Sequence, residues 1–78
     1  QDGEAHNSLG NILLELGRLN VAEENFRHAI ALKPDFFEAH HNLGITLKSL
    51  SRLKEAEASY THALKLQPNN RAKSSRIG

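Results

Sequence analysis

The chain predicts an all-α solenoid: antiparallel helix pairs laid side by side, two full pairs plus the start of a third. Three observations predict it. The stretch "AHNSLG" at residues 5–10 returns as "AHHNLG" at residues 39–44, an interval of 34 residues. Laying residues 1–34 on residues 35–68 gives 15 identities in 34 pairs, among them Leu9/Leu43, Gly10/Gly44, Ala22/Ala56, Ala29/Ala63 and Pro34/Pro68. Self-similarity at such a period is the mark of a repeat array. Within each copy apolar residues recur at helical spacing, and nothing alternates with period two.

The first unit spans residues 1–34, with helices expected over about 3–16 and 20–33. In the first helix Leu9, Leu13 and Leu16 form a packing stripe, with Gly10 beside it. Gly17-Arg18 interrupts the pattern. Asn20 followed by Glu23 reads as an N-cap with its capping-box partner, and Ala22, Phe26, Ala29 and Ile30 form the apolar stripe of the second helix. Pro34 ends it. The second unit, residues 35–68, repeats the plan with helices over about 36–50 and 54–67. Asp35 and Glu38 read as its cap. Leu43, Leu47 and Leu50 form one stripe, and Ala56, Tyr60, Ala63 and Leu64 the other. Residues 69–78 begin a third repeat or a capping helix, since Ile77-Gly78 falls where Leu43-Gly44 would recur.

Small residues stand where helices must approach closely. Gly10 and Ala22 let the two helices of a unit touch, with Phe26 filling the gap beside them, and Ala29 is expected to receive the first helix of the next unit. A glycine inside a helix costs about 1 kcal/mol against alanine. Its recurrence at Gly44 indicates that packing space outweighs propensity.

Composition narrows the functional classes. With 38% apolar residues a core is possible, but in a chain of 78 it is a small one. The net charge is +1, which gives no global field toward nucleic acid or membrane. The three cations of residues 71–78 have no interleaved aromatic residue to stack on bases, so nucleic-acid binding is not expected. No apolar run approaches the ~20 residues of a membrane span. There is no cysteine, which excludes disulfides and thiolate metal sites and is compatible with a reducing compartment such as the cytoplasm. Five histidines are present, but no two share a helical face at four-residue spacing, so no metal or other cofactor is expected. No nucleophile or phosphate-loop motif occurs, and the chain reads as a non-enzyme. It starts at Gln1 and holds no methionine, so it reads as a piece of a longer protein.

Leu9-Gly10, Leu13, Ala22, Phe26, Ala29 and Pro34, repeated at 34 residues, resemble the tetratricopeptide repeat. The likeness covers residues 3–70. His6 and His40 depart from it, standing where the family prefers tryptophan or tyrosine. Histidine there is similar to the arrays of O-linked N-acetylglucosamine transferase. The resemblance implies a right-handed superhelix whose first helices line a concave groove for peptides or extended protein segments, a scaffold without chemistry of its own.

Helix geometry puts Asn7, Ser8, Asn11, Leu14 and Glu15 opposite the leucine stripe of the first helix, and His41, Asn42, Ile45, Lys48 and Ser49 opposite that of the third. The resemblance implies that the groove lies there, with Glu4 and Glu38 at its edge. Arg76 joins the set because it stands where some relatives place a carboxylate-clamp arginine. Asn7 and Ala72 replace the two clamp lysines, so a terminal carboxylate would be poorly neutralised. Asparagine both donates and accepts, which suits reading a peptide backbone. The expected function is therefore a protein-interaction module. The alternatives are a fragment whose exposed repeat ends self-associate, or the substrate-selecting array of a larger transferase.

Overall fold

The computed structural model describes residues 2–66 as four helices: α1 (Gly3–Glu15), α2 (Leu19–Leu32), α3 (Phe37–Ser49) and α4 (Leu53–Leu66). The expected third-repeat segment and Arg76 lie outside the described residues. Helices α1 and α2 pack as one antiparallel pair, α3 and α4 as the next, and α2 and α1 both touch α3 across the junction.

The turn inside each pair is the same device. Gly17 N–H donates to the Leu14 carbonyl at 3.0 Å and Arg18 N–H to the Leu13 carbonyl at 2.9 Å. In the second pair Ser51 N–H donates to Lys48 at 2.9 Å and Arg52 N–H to Leu47 at 2.9 Å. These paired reverse bonds make a Schellman closure, which requires a left-handed residue just past the helix. Gly17 meets that requirement at φ +80, whereas Ser51 is forced to φ 67. A left-handed residue other than glycine costs roughly 1–2 kcal/mol, partly offset by the greater unfolded-state freedom of glycine. Ser51→Gly should therefore raise stability by about 0.5–1 kcal/mol, seen as a higher midpoint in thermal denaturation followed by circular dichroism.

Two capping expectations fail, the first because of this closure. Helix α2 starts at Leu19 behind Arg18, which supplies no side-chain cap. Asn20 is already inside the first turn, because the closure leaves only one residue between the left-handed Gly17 and the new helix. Glu23 points its carboxylate at Arg27 and Arg52 instead of back at a cap. Nor does Asp35 cap α3, whose N-cap is Phe36, without a side-chain bond. In repeat register Phe36 is the counterpart of Asp2, and Asp2 does cap α1, accepting from Glu4 N–H at 3.1 Å.

The core sits at the junction between the repeats. Ala22, Phe26, Leu43, Leu47 and Ala56 form one buried cluster, with Leu13, Leu14, Ile30 and Tyr60 packed against it. Gly10 lies on the Phe26 ring, where a Cβ would come within 2.7 Å of Cε1, and Gly44 lies on Tyr60 in the same way at 2.8 Å. Ala29 is fully buried, but its carbonyl is met by Gly3 of its own repeat.

The expected leucine stripe holds only where a neighbour covers it. Leu43 and Leu47 are buried at 4% and 1% exposure, while their partners in the repeat, Leu9 and Leu13, are exposed at 46% and half-buried. Leu16 is exposed at 66%. The face of α3 that carries Leu43, Thr46 and Leu47 meets the first repeat. On the matching face of α1, Leu9 and Ile12 stay exposed, and Leu13 alone packs on the core cluster. At the other end Leu64 is exposed, whereas its counterpart Ile30 packs under the second repeat.

Candidate functional site

The face shared by α1 and α3 is polar and assembled by the junction just described. Of the residues expected there, Ser8, Asn11, Glu15, His41, Lys48 and Ser49 are exposed, and Asn42 and Ile45 are half-buried. Asn7 and Leu14 are engaged within the protein. Asn7 is buried at 7% exposure, and its Oδ1 accepts from Asn42 Nδ2 at 3.1 Å. Leu14 packs against the core cluster. Helical periodicity alone shows neither of these contacts. Glu4 turns toward the end of α2, where its carboxylate lies 3.9 Å from Lys33 Nζ, rather than along the α1/α3 face. Glu38 is exposed.

The Asn7–Asn42 bond ties the two repeats at the floor of this face. It uses one amide hydrogen and one carbonyl oxygen, and Asn42 Oδ1 keeps its acceptor capacity with no protein partner among the described residues. Thr46, fully buried on the next turn, returns its hydroxyl to the Asn42 carbonyl at 2.9 Å, so this buried hydroxyl is satisfied.

An ion-pair cluster fastens the same junction from the α2 side. Arg52, at the turn between α3 and α4, donates to Glu23 Oε1 at 2.8 Å and to Glu55 Oε1 at 2.8 Å, and Arg27 donates to Glu23 Oε2 at 2.9 Å. Partial burial pushes the Glu23 carboxyl up, but the hydrogen bonds and positive charges of Arg52 and Arg27 outweigh it and hold the group below the usual carboxylate range. Glu55 is held low chiefly by its bond from Arg52. Glu23 is the shielded member, with a side chain 13% exposed, and it links the repeats through Arg52, as Glu55 does more loosely through Arg27 at 3.5 Å.

The histidines pair in a way the sequence reading missed. His40 stacks on His62 with ring centroids 4.3 Å apart and planes 11° from parallel, and His6 meets His28 at 5.2 Å. A carbonyl can only accept, so the 2.9 Å contact of His40 Nε2 with the Pro34 oxygen puts the proton on Nε2. In the first repeat Asn25 Nδ2 donates to the Val21 carbonyl, which turns Asn25 Oδ1 toward His6 Nδ1 and puts the proton on that nitrogen instead. Each pair joins the two helices of one unit where the family prefers a single large aromatic ring. The signal was present in the sequence: both pairs have the same spacing, which an antiparallel hairpin brings face to face. Rings stacked this way do not converge their nitrogens on one point. Among the described residues no group of three His, Cys, Asp or Glu side chains is placed to hold a metal ion.

A family model described as a TPR repeat matches residues 10–51, and a second, described as a tetratricopeptide repeat, matches residues 37–70. The chain belongs to the tetratricopeptide-repeat family. A comparison with curated proteins finds no match. Tetratricopeptide repeats generally mediate protein–protein interactions and are generally non-catalytic. No helix among the described residues is long and apolar enough to cross a membrane.

Proposed function

We propose that the chain is an interaction module that holds an extended peptide segment of a partner protein along the α1/α3 face. The observation that carries this reading is the row of exposed polar side chains, Ser8, Asn11, His41 and Lys48, lying on a floor locked by the Asn7–Asn42 bond. Groups held by a fixed floor lose less freedom when they bind, which favours binding at a given contact area. Asn42 Oδ1 would accept from a peptide N–H, and Asn11 would both donate and accept. Glu15 and Lys48 bring opposite charges to the face and select partners by charge pattern.

The test is selection of displayed random peptides on the chain, then titration of the selected peptides against Ser8→Ala/Asn11→Ala/Lys48→Ala. All three positions are exposed, so helicity should be unchanged. Affinity should fall by about tenfold or more, the loss expected for two or three polar contacts. Full affinity in the triple variant would move the binding surface elsewhere.

Exposed apolar residues at both ends of the array favour a second reading, self-association of the repeats. Leu9 and Ile12 stand open on α1 with Leu16 just past its end, and Leu53 and Leu64 on α4. Repeat arrays cover such ends by stacking a neighbour on them.

A further inference from the structure

We infer that copies of this chain associate head to tail, the open face of α1 in one copy docking on the open α3/α4 face of the next. The interface would reproduce the internal junction between the two repeats. This inference rests on the self-association reading and specifies its geometry.

Three features of the internal junction have unpaired counterparts at opposite ends of the same molecule. The first is apolar. In the junction Leu43 and Leu47 of the second repeat bury against Phe26 and Ile30 of the first. Shifted by one repeat, the head offers Leu9 with Ile12, and the tail offers Tyr60 and Leu64. Ile12 is 53% exposed and Leu64 58%, while Thr46, the counterpart of Ile12, is fully buried in the junction. The second feature is charge. Arg52 of the second repeat binds Glu23 of the first at 2.8 Å. Their counterparts are Arg18 at the head and Glu57 at the tail, both exposed and without an ion pair among the described residues. The third is the hydrogen bond from Asn42 to Asn7, whose counterparts Ser8 and His41 are also a donor–acceptor match and also exposed.

The tail face is already shaped to receive the head. A hollow of about 320 Å³ is lined by Lys48, Leu53, Lys54, Ala56, Glu57 and Tyr60. Their repeat counterparts include Leu14, Ala22, Glu23 and Phe26, which in the first repeat make the seat filled by α3. Two different faces meet in such a contact, so it does not close on itself by a two-fold axis and chains of copies form. An isologous pairing would join head to head or tail to tail, setting Arg18 against Arg18 or Glu57 against Glu57.

The experiment is sedimentation velocity over a concentration series on the whole 78-residue chain, with Leu9→Glu to block the head and Leu64→Glu to block the tail. The unaltered chain should grow past the dimer as concentration rises. Each variant alone should stay monomeric, its association weakened by about tenfold or more because the contact would bury an unpaired charge. An equimolar mixture should give dimers and nothing larger, since one free head meets one free tail. A wild-type chain that stays monomeric overturns self-association itself. A wild type that associates while either single variant also associates overturns only the head-to-tail geometry, as does a mixture that remains monomeric. A chain that associates only after residues 67–78 are removed would put that segment on the tail face and overturn the proposal. If circular dichroism shows either variant unfolded, Arg18→Glu and Glu57→Arg, both at exposed positions, replace them. Each alone should weaken association, and mixing the two should restore it, because every contact between unlike variants again pairs opposite charges.

Discussion

Gly10→Val should leave the chain largely unfolded at room temperature. A Cβ at Gly10 would stand 2.7 Å from Phe26 Cε1 and 2.9 Å from both Cδ1 and Cζ, along one edge of the ring. The ring has no room to retreat, since Phe26 is fully buried in the cluster formed with Ala22, Leu43, Leu47 and Ala56. Alanine at this position would gain about 1 kcal/mol of helix propensity and lose about 1–3 kcal/mol by overpacking. Valine adds two methyl groups to the same clash and a β-branch to the helix, so the loss should reach about 3 kcal/mol or more. A single core in a chain this short rarely supplies more than about 3–5 kcal/mol. Far-UV circular dichroism during urea denaturation would show the loss directly. A cooperative transition within about 1 kcal/mol of the wild type, a surface-like effect, would mean that Phe26 does not rest on Gly10. The same change at Gly44 is the internal control. Its clash with Tyr60 is similar at 2.8 Å, but Tyr60 is half-buried and can swing outward, so Gly44→Val should cost less.

The contrast between those two glycines marks the limit of what a repeat sequence reveals. The pairing of helices and the small-on-large contact of Gly10 with Phe26 were legible, because each depends on residues within one unit that occur twice at the same spacing. Burial was not, because it depends on what stands beside the unit. Leu9 and Leu43 are the same residue at the same repeat position, yet only Leu43 has a neighbouring helix over it. Asn7 looked like groove surface for the same reason: its helix alone leaves it open, and α3 closes over it. The capping boxes failed differently. Asn20 and Glu23 have the right letters, but the closure at Gly17 starts the helix before Asn20 and leaves Glu23 for Arg52. The proposed interaction face was therefore only partly readable. Its exposed members Ser8, Asn11 and Lys48 follow from periodicity, whereas the Asn7–Asn42 lock beneath them is a tertiary event.

Phe26→Ala should be the costliest truncation in the molecule, at about 3–5 kcal/mol. Phe26 is the largest of the fully buried side chains and belongs to a cluster that joins α2, α3 and α4. Removing it opens a void that the flanking alanines, Ala22 and Ala56, have no side-chain length to refill. Tyr60→Ala deletes a similar ring at the same repeat position but from a half-buried site, and should cost markedly less. Urea denaturation of both variants checks the order. Equal losses would mean that the core belongs to each helix pair separately rather than to the junction. A milder pair of changes tests the contact itself. Gly10→Ala crowds the ring and Phe26→Leu makes room, so the double variant should be more stable than the sum of the single losses predicts, by about 1 kcal/mol or more. Strict additivity would separate the two residues energetically and remove the glycine's reason for standing inside a helix. A favourable coupling would show that Gly10 trades its helix propensity for the space that lets α1 reach the ring on which α2 and α3 also close.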